Sequence, residues 1–350
     1  MEILEKLLDI ELPIIQAPMA GVQGSKLAIA VSRAGGLGSL PGAMLGIDSL
    51  RQEITAIQSQ TTQPFNVNFF CHSPPAIDAE RETRWRELLT PYYREIGLDP
   101  QSILPGPGRS PFNKEIADVL LDVKPAVVSF HFGLPTTELM AKVKSTGAKI
   151  LSSATTVAEA LWLEARGVDA IIAQGIEAGG HRGSFLSDDL SLQTGTFALV
   201  PQIVARVKVP VIAAGGIASV DGVAAAMKLG AVGVQVGTAY LLCPETTTSA
   251  IHRVALRSAQ AQHTAITNLF TGRPARGIVN RLIRELGPIS PAAPLFPRAA
   301  SAIAPLRAKA ESRASGDFSP LWAGQNTTGC KEIPAGELTW QLAGRLIGSR

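Results

Sequence analysis

The chain has 350 residues, of which 46% are hydrophobic and 17% are charged, and its formal net charge is +3. This length and apolar content suffice for one large α/β barrel or two ordinary domains, and they argue against a disordered chain. The small net charge, the lack of a long basic run and the aromatic content of only 5% give little support to nucleic-acid binding.

The cysteines and the N-terminus indicate the compartment. Cys71, Cys243 and Cys330 are widely spaced and odd in number, which is typical of a reducing compartment, and their spacing predicts no metal site. Residues 1–6 carry mixed charges and no apolar signal core. No apolar run approaches the length needed to cross a membrane. We therefore expect a soluble cytoplasmic protein that binds neither membranes nor nucleic acid.

Short apolar segments recur along the chain, and each ends at or near Gly, Pro, Ser or Asn. Most are continuously apolar rather than alternating, which is typical of parallel strands covered on both faces. Helical patterns lie between most of them, and repeated strand–helix alternation predicts a (β/α)8 TIM barrel. A doubly wound sheet is the weaker alternative, because glycine-rich turns follow several strands. The eight predicted strands are residues 13–17, 37–40, 65–70, 126–130, 148–152, 168–173, 210–214 and 232–236.

Two segments are longer than the strand connections that a minimal barrel needs. Residues 71–123 contain a polar helical pattern at 76–89 and a Pro/Gly-rich loop at 104–108, and residues 241–322 are rich in Ala, Arg and Pro and predict mostly helix. Both segments would emerge at the carboxyl face of the barrel, where we expect them to form a smaller, mostly helical substrate cap. The barrel itself would then comprise residues 1–70, 124–240 and 323–350.

The end of the first predicted strand is a candidate ring-binding surface. Ala17, Pro18 and Met19 follow this strand directly. Pro18 lacks a backbone donor and Met19 offers a soft apolar side chain, so a flat heteroaromatic ring could lie over this segment. Simple core packing at a strand end explains the same residues equally well.

Polar side chains in the other apolar strands need partners. Asn66 and Asn68 share one face of the third strand, and Asn68, nearer the carboxyl end, is the better candidate ligand. Gln174 holds the analogous position after the sixth strand. His131 follows the fourth strand and could line a substrate pocket, although a structural histidine is the favoured interpretation.

The most informative segment is the glycine-rich turn after the sixth strand, which contains Gly179, Gly180 and His181. Glycines let backbone N–H groups approach a ligand closely. His181 adds a group that titrates near neutral pH. A lone loop histidine is usually solvated, but the adjacent glycines and the strand end favour a functional site.

Glycine turns also follow the last two predicted strands, at positions where TIM barrels commonly bind phosphate. Paired glycines expose N–H donors, and a hydroxyl adds another. A tight turn without a ligand is the alternative for either motif alone. The candidate phosphate-binding residues are Gly215, Gly216, Gln235, Val236, Gly237 and Thr238.

Taken together, these motifs resemble the nitronate monooxygenase family, formerly called 2-nitropropane dioxygenases. The resemblance runs over essentially the whole chain, and the combination of motifs is specific where any single glycine motif would not be. It rests on residues 13–21, 35–38, 65–70, 129–133, 174–183, 213–217, 235–238, 271–277 and 322–325.

The resemblance implies an FMN-bearing barrel that oxidises alkyl nitronates, such as propionate 3-nitronate, with O2 to a carbonyl compound and nitrite. It implies that His181 is catalytic, either as a base toward nitroalkanes or as an anion-stabilising donor. A homodimer is one possible assembly. Some family members carry tyrosines and a lysine around the substrate, whereas residues 288–310 of this chain contain no tyrosine. The residues implied to hold FMN are Asn68, Gln174, Gly179, Gly216 and residues 235–238.

Three other functions fit the same motifs. One is an FMN-dependent NAD(P)H:quinone or enoyl-thioester reductase on the same scaffold. Another is a flavin-free barrel that binds a phosphate-bearing ligand. The third is a non-catalytic binding protein that kept the fold, because fold alone does not decide function.

Overall fold

The computed structural model describes residues 2–103 and 108–344, and within them the predicted TIM barrel is confirmed. Its eight parallel strands follow the order β1-β9-β8-β6-β5-β4-β3-β2 around the barrel. A two-residue strand, β7 (Gly180–His181), lies outside this ring. The barrel strands are β1 (Ile14–Gln16), β2 (Gly38–Pro41), β3 (Phe65–Phe70), β4 (Val127–His131), β5 (Lys149–Ala154), β6 (Ala170–Gln174), β8 (Val211–Ala214) and β9 (Gly233–Val236).

Hydrogen bonds close the ring at β1. On one side Ile14 pairs with Val234 of β9, and on the other a parallel bridge joins Ile15 to Leu37, which directly precedes β2. The Gln16 N–H donates to the Leu37 carbonyl at 2.9 Å. Every barrel strand begins and ends within two residues of its predicted bounds, because continuous apolar runs mark strands buried on both faces.

The helices α1–α13 alternate with the strands around the barrel and fill the two long insertions. None of the described helices is long and apolar enough to span a membrane. Their bounds are Glu2–Leu8, Ser25–Arg33, Ile47–Gln60, Ala79–Glu95, Lys114–Val123, Thr137–Lys144, Val157–Glu164, Thr196–Val204, Val220–Lys228, Ala250–Arg257, Arg281–Leu286, Ala299–Glu311 and Ala335–Leu342. Short 3-10 helices occupy Gly42–Met44, Pro100–Ser102, Leu190–Leu192, Thr238–Leu242 and Ala259–Gln262.

Side-chain caps fix the starts of the helices that the sequence pattern predicts. Thr156 caps α7, where its hydroxyl accepts from the Glu159 N–H at 3.2 Å, and Ser219 caps α9 in the same way. The Glu159 carboxylate accepts from the Thr155 N–H at 2.7 Å and the Phe185 N–H at 2.6 Å. It therefore links α7 to a neighbouring loop. In a simple capping box, this carboxylate would instead accept from the N–H of the capping residue, Thr156.

The amino end of the barrel is plugged by α1. Leu4 and Leu8 are buried in one apolar cluster with residues from the strands inside the barrel, including Ile15, Val127 and Ile212. A packed interior at this end leaves the carboxyl end as the place where a ligand can enter.

The two long insertions share a hydrophobic cluster of their own. Trp85 and Tyr93 of α4 are buried with Ile303 and Leu306 of α12. The Tyr93 hydroxyl donates to the Ala302 carbonyl at 2.7 Å, so the two helices are also hydrogen-bonded. The predicted loop at 104–108 lies outside the described residues except for its last glycine.

The second insertion also contains strands that the sequence pattern does not predict. β10 (Thr264–Thr267) and β11 (Ala275–Ile278) form an antiparallel sheet, whose other edge is β7. Within this sheet Ala275 pairs with His181. The segments are only four residues long and mix polar with apolar side chains, so their pairing depends on contacts distant in sequence.

Two glycine-to-alanine substitutions should change stability in opposite directions. A Cβ added at Gly38 would lie 2.0 Å from the backbone oxygen of Ala28, so Gly38→Ala forces β2 away from α2. We expect a loss of about 1–3 kcal/mol in the free energy of unfolding. Gly222→Ala, inside α9 with only ordinary contacts, should add roughly 0.5–1 kcal/mol. Denaturant titration of both variants tests this, and equal effects would contradict it.

Candidate active site

A cavity of about 510 Å³ opens at the carboxyl ends of the barrel strands. All the residues predicted to bind a cofactor or substrate line it, because the carboxyl ends of parallel barrel strands converge on one mouth. The predicted residues on its walls are Ala17, Pro18, Met19, Asn68, His131, Gln174, Gly179, Gly180, His181, Gly215, Gly216, Gln235, Val236, Gly237 and Thr238.

The segment after β1 forms one wall, and its backbone donors are used within the protein. The Ala17 N–H donates to the Val236 carbonyl at 2.8 Å, and the Met19 N–H donates to Gln23 Oε1 at 3.1 Å. Pro18 has no donor to offer. The wall therefore presents a largely apolar surface to the cavity.

The glycine-rich turn after β6 is held by a buried arginine and an amide. Arg182 is 0% exposed, and it donates to the Gly175 and Gln174 carbonyls at 2.8 Å each. Burial lowers the pKa of Arg182 to about 10, so it stays charged at neutral pH. The Gln174 side chain donates to the His181 carbonyl at 3.0 Å and accepts from the Gly183 N–H at 2.7 Å. Both ends of this amide hold the turn in place.

A second constraint comes from the far side of the turn. His181 pairs with Ala275 of β11, and the Arg182 N–H donates to the Pro274 carbonyl at 2.8 Å. A Cβ at Gly179 would lie 2.5 Å from the Gly324 nitrogen, so only glycine fits there. The turn is thus clamped between β6 and the second insertion, which fixes the position of His181.

The His181 ring lies in an apolar and positively charged environment. Its Nε2 lies 2.9 Å from the Thr271 hydroxyl, and its ring centroid lies 5.3 Å from that of Phe296 and 5.6 Å from that of Trp322. Burial, followed by the positive charge of Arg109 and other nearby cations, holds the pKa of His181 well below its usual range. His181 is therefore neutral at physiological pH.

A hydrogen bond engages one nitrogen of this ring. His181 Nε2 and the Thr271 hydroxyl lie 2.9 Å apart, and the Thr271 hydroxyl also lies 3.4 Å from the Arg273 carbonyl. A neutral imidazole has one donor and one acceptor nitrogen. The neutral ring consequently keeps one nitrogen able to accept a proton.

His131 supports the same turn. Its Nε2–H donates to the His181 carbonyl at 3.2 Å, and its Nδ1 lies 2.9 Å from the Ser153 hydroxyl. Burial lowers the pKa of His131 to about 3, so this ring is neutral as well. Both ring nitrogens are engaged by protein groups, as expected for a structural histidine.

The opposite end of the cavity is built from the glycine turns after β8 and β9. Asn326 Nδ2 donates to the Gly216 carbonyl at 3.0 Å, and the Gly324 N–H donates to Thr238 Oγ1 at 2.9 Å. The Thr238 hydroxyl proton remains available to a ligand. Within the described part of the chain, the buried Gln235 Oε1 has no hydrogen-bond partner. This oxygen faces the cavity wall and is free to accept a hydrogen bond from a ligand.

Comparison with known proteins gives the family. The sequence profile of the nitronate monooxygenase family matches residues 1–344. The chain belongs to the nitronate monooxygenase family. A nitronate monooxygenase of Pseudomonas aeruginosa is 42% identical over 352 residues and covers 98% of each chain. Another from Paraburkholderia phytofirmans is 43% identical and covers 96% of this chain and 92% of its own.

Solved structures agree with this family. Nitroalkane oxidase from Streptomyces ansochromogenes superposes with a TM-score of 0.89 at 39% identity, covering 98% of this chain and 97% of that one. FabK from Thermotoga maritima superposes with a TM-score of 0.69 at 27% identity, covering 97% and 94%. The chain is thus an enzyme of the nitronate monooxygenase type, and membership of this family indicates a flavin cofactor.

Sequence reasoning missed several residues around His181. Thr271 and Trp322 lie within segments that support the family resemblance, but nothing local marked them as neighbours of His181. Phe296 and Arg109 come from loops of the two insertions and carry no periodic signal. In the described parts of the chain, no group of three or more His, Cys, Asp or Glu side chains could hold a metal ion.

Replacing Gly216 with valine tests where the cofactor phosphate lies. Gly216 has φ +72° and lines the cavity, so a branched side chain both strains the turn and intrudes on the ligand. We expect Gly216→Val to purify nearly free of flavin, as measured by visible absorbance relative to protein. The matched control is Gly147→Val, which has φ +86° in a turn that does not line the cavity. The Gly147→Val protein should share the backbone strain but keep its flavin. Full flavin occupancy in Gly216→Val would refute the expected position of the phosphate at this turn.

Proposed function

We propose that this enzyme uses FMN to oxidise alkyl nitronates, such as propionate 3-nitronate, with O2 to carbonyl compounds and nitrite. The observation that carries this proposal is the neutral His181 ring at a cavity walled by the predicted flavin-binding residues. A nitronate is an anion that needs a positive environment and little base catalysis. A nitroalkane must first lose a proton, which requires a neutral base.

The residues present fit FMN. The apolar segment from Ala17 to Met19 suits the flat face of the ring system, and the unpartnered Gln235 Oε1 suits a ring N–H or a ribityl hydroxyl. The phosphate would be bound by the turn at Gly215 and Gly216 and by the Thr238 hydroxyl. The start of α9 lies a few residues beyond that turn and adds favourable potential for an anion. When bound, FMN supplies the electron transfer and the reaction with O2.

In this proposal His181 acts through its neutral form. In the tautomer proposed here, Nε2–H donates to Thr271, and the lone pair on Nδ1 takes the proton from the carbon next to the nitro group of a nitroalkane. The resulting imidazolium lies among cations, so the anionic substrate must offset their charge. The nitronate does this, because an anion within a few ångströms raises the pKa of a neighbouring imidazole.

We also propose that residues 71–123 and 241–322 form a cap that excludes water from the reacting groups. Supporting this, the two segments share one apolar cluster, and each contributes residues to the cavity wall. The rings of Phe70, Phe132 and Phe296 pack together beside His181, with centroid separations of 4.8 to 6.2 Å among the three. Of these three rings, Phe70 lines the cavity, and its side chain offers a substrate no hydroxyl donor.

An FMN-dependent NAD(P)H:quinone or enoyl-thioester reductase is the principal alternative, and a flavin-free barrel that binds a phosphate-bearing ligand is the other. The purified protein distinguishes them. Yellow protein whose flavin is bleached anaerobically by propionate 3-nitronate, and not by NADH or NADPH, supports the proposed function. Bleaching by a nicotinamide alone supports a reductase, and a colourless protein that binds no added FMN supports the second alternative.

His181→Asn separates the two roles of His181. Asparagine keeps a hydrogen-bond donor but cannot accept a proton near neutral pH. We expect kcat/KM for a nitroalkane to fall by about 10²–10⁴-fold, the usual contribution of a general base, with a smaller loss for its nitronate at the same pH. Steady-state oxygen uptake measures both. Wild-type turnover on both substrates with flavin bound would remove His181 from the mechanism.

The pH dependence of nitroalkane oxidation follows from the lowered pKa of His181. Because the pKa of His181 lies well below 6.5, its neutral, proton-accepting form persists as the pH falls through 6.5. We therefore expect kcat/KM for a neutral nitroalkane to stay level from pH 7.5 to pH 6, and to fall only at more acidic pH. A loss of half the activity near pH 6.5 would contradict the burial of this ring.

A further inference from the structure

A carboxylate and a hydroxyl from distant segments meet behind the glycine turn that follows β8. The Glu177 carboxylate accepts from the Thr196 N–H at 2.9 Å and from the Thr196 hydroxyl at 2.8 Å. Thr196 is the first residue of α8, and the capping residue, Gly195, has no side chain to accept that N–H. Glu177, from the turn that carries His181, therefore caps α8. Neither Glu177 nor Thr196 lines the cavity.

Glycines on three segments leave the room for this pair of side chains. A Cβ added at Gly175, just after β6, would lie 2.5 Å from Glu177 Oε2. One added at Gly195 would lie 2.9 Å from Glu177 Oε1, and one added at Gly215 would lie 2.8 Å from Thr196 Oγ1. No side chain fits at such distances, so the close approach of the three segments around the pair depends on these glycines.

The Thr196 hydroxyl also orients the peptide unit between Gly215 and Gly216. Its oxygen lies 3.0 Å from the Gly215 carbonyl oxygen, so this carbonyl and the Glu177 carboxylate share the one hydroxyl proton. The peptide is trans and planar, so its carbonyl and its N–H point in opposite directions. The Gly216 N–H therefore points away from Thr196, and it donates to no described residue.

We propose that Glu177 and Thr196 are positioning residues for the FMN phosphate, because Glu177 holds the Thr196 hydroxyl and this hydroxyl aims the Gly216 N–H at the phosphate. This inference rests on the proposed function. A hydrogen bond accepted by a carbonyl also polarises its own peptide unit, which strengthens the N–H as a donor. Since Glu177 belongs to the turn that carries His181, the pair holds that turn and the phosphate turn to one another.

The charge and the geometry of Glu177 predict opposite effects on the cofactor. Glu177 Cβ lies 3.4 Å from where a Cβ on Gly216 would be, so its carboxylate is near the expected phosphate. Two anions repel each other, and a role through charge alone predicts that any neutral substitution tightens FMN binding. A positioning role predicts weaker binding wherever the contact is broken. Glu177→Gln keeps an oxygen that can accept from the Thr196 N–H, whereas Glu177→Ala keeps none.

The affinities for FMN and for riboflavin, which lacks the phosphate, test the inference. Equilibrium dialysis of the full-length protein against graded concentrations of each flavin gives both Kd values. We expect Glu177→Ala and Thr196→Val to raise the Kd for FMN by about 5- to 50-fold and to change that for riboflavin less than about threefold. Glu177→Gln and Thr196→Ser should stay within about threefold of wild type for FMN. The double variant Glu177→Ala/Thr196→Val should lose no more than the worse single variant, because both changes break one contact.

Glu245→Ala is the matched control. The Glu245 carboxylate accepts from the Ala335 N–H, the first of α13, at 3.0 and 3.1 Å, and it is not among the groups closest to Gly215 or Gly216. This variant should preserve both Kd values.

The outcomes separate this inference from the proposed function. Equal losses for FMN and riboflavin in Glu177→Ala and Thr196→Val, or tighter FMN binding by these variants, would overturn the inference. If wild-type enzyme binds FMN but oxidises no nitronate, and the loss specific to FMN persists in both variants, the proposed function fails and the positioning role stands.

Discussion

The site depends on one buried cation, the guanidinium of Arg182 beneath the glycine-rich turn. A fully buried charge is tolerated only when its donors are satisfied, and here backbone carbonyls at the end of β6 accept from it. Gln174 then fixes the two sides of the turn to each other through its amide. With both residues engaged, the backbone that carries His181 has little freedom to relax away from the cavity.

The electrostatics of the cavity follow from the same packing. His181 and His131 are surrounded by aromatic rings and arginines, and Glu311, a carboxylate that lines the same cavity, is paired with Arg307. Each ring is therefore held neutral, while the potential around it is positive. Such a site disfavours protonated groups and favours an anion, which is the charge of a nitronate.

The two insertions bring the barrel and its covering segments into one unit. β10 and β11 extend the short strand that contains His181, and the second insertion thereby determines where the catalytic candidate lies. The same insertion supplies Thr271, which is hydrogen-bonded to His181 Nε2, and Phe296, which packs against the His181 ring. The first insertion supplies Arg109. The cavity is consequently built from the barrel and both insertions together.

The sequence by itself determined the barrel and the candidates on its strand ends. Buried parallel strands can be recognised in the sequence as local apolar runs. Closure of the barrel brings the carboxyl ends of all strands to one mouth, so the sequence alone could place Asn68, Gln174 and Gly216 together. Only the tertiary structure decided the partners of His181. Thr271 and Arg109 reach it from segments 90 and 72 positions away, where no periodicity marks a contact. Burial, which sets the charge of His181, is likewise a property of the assembled cavity.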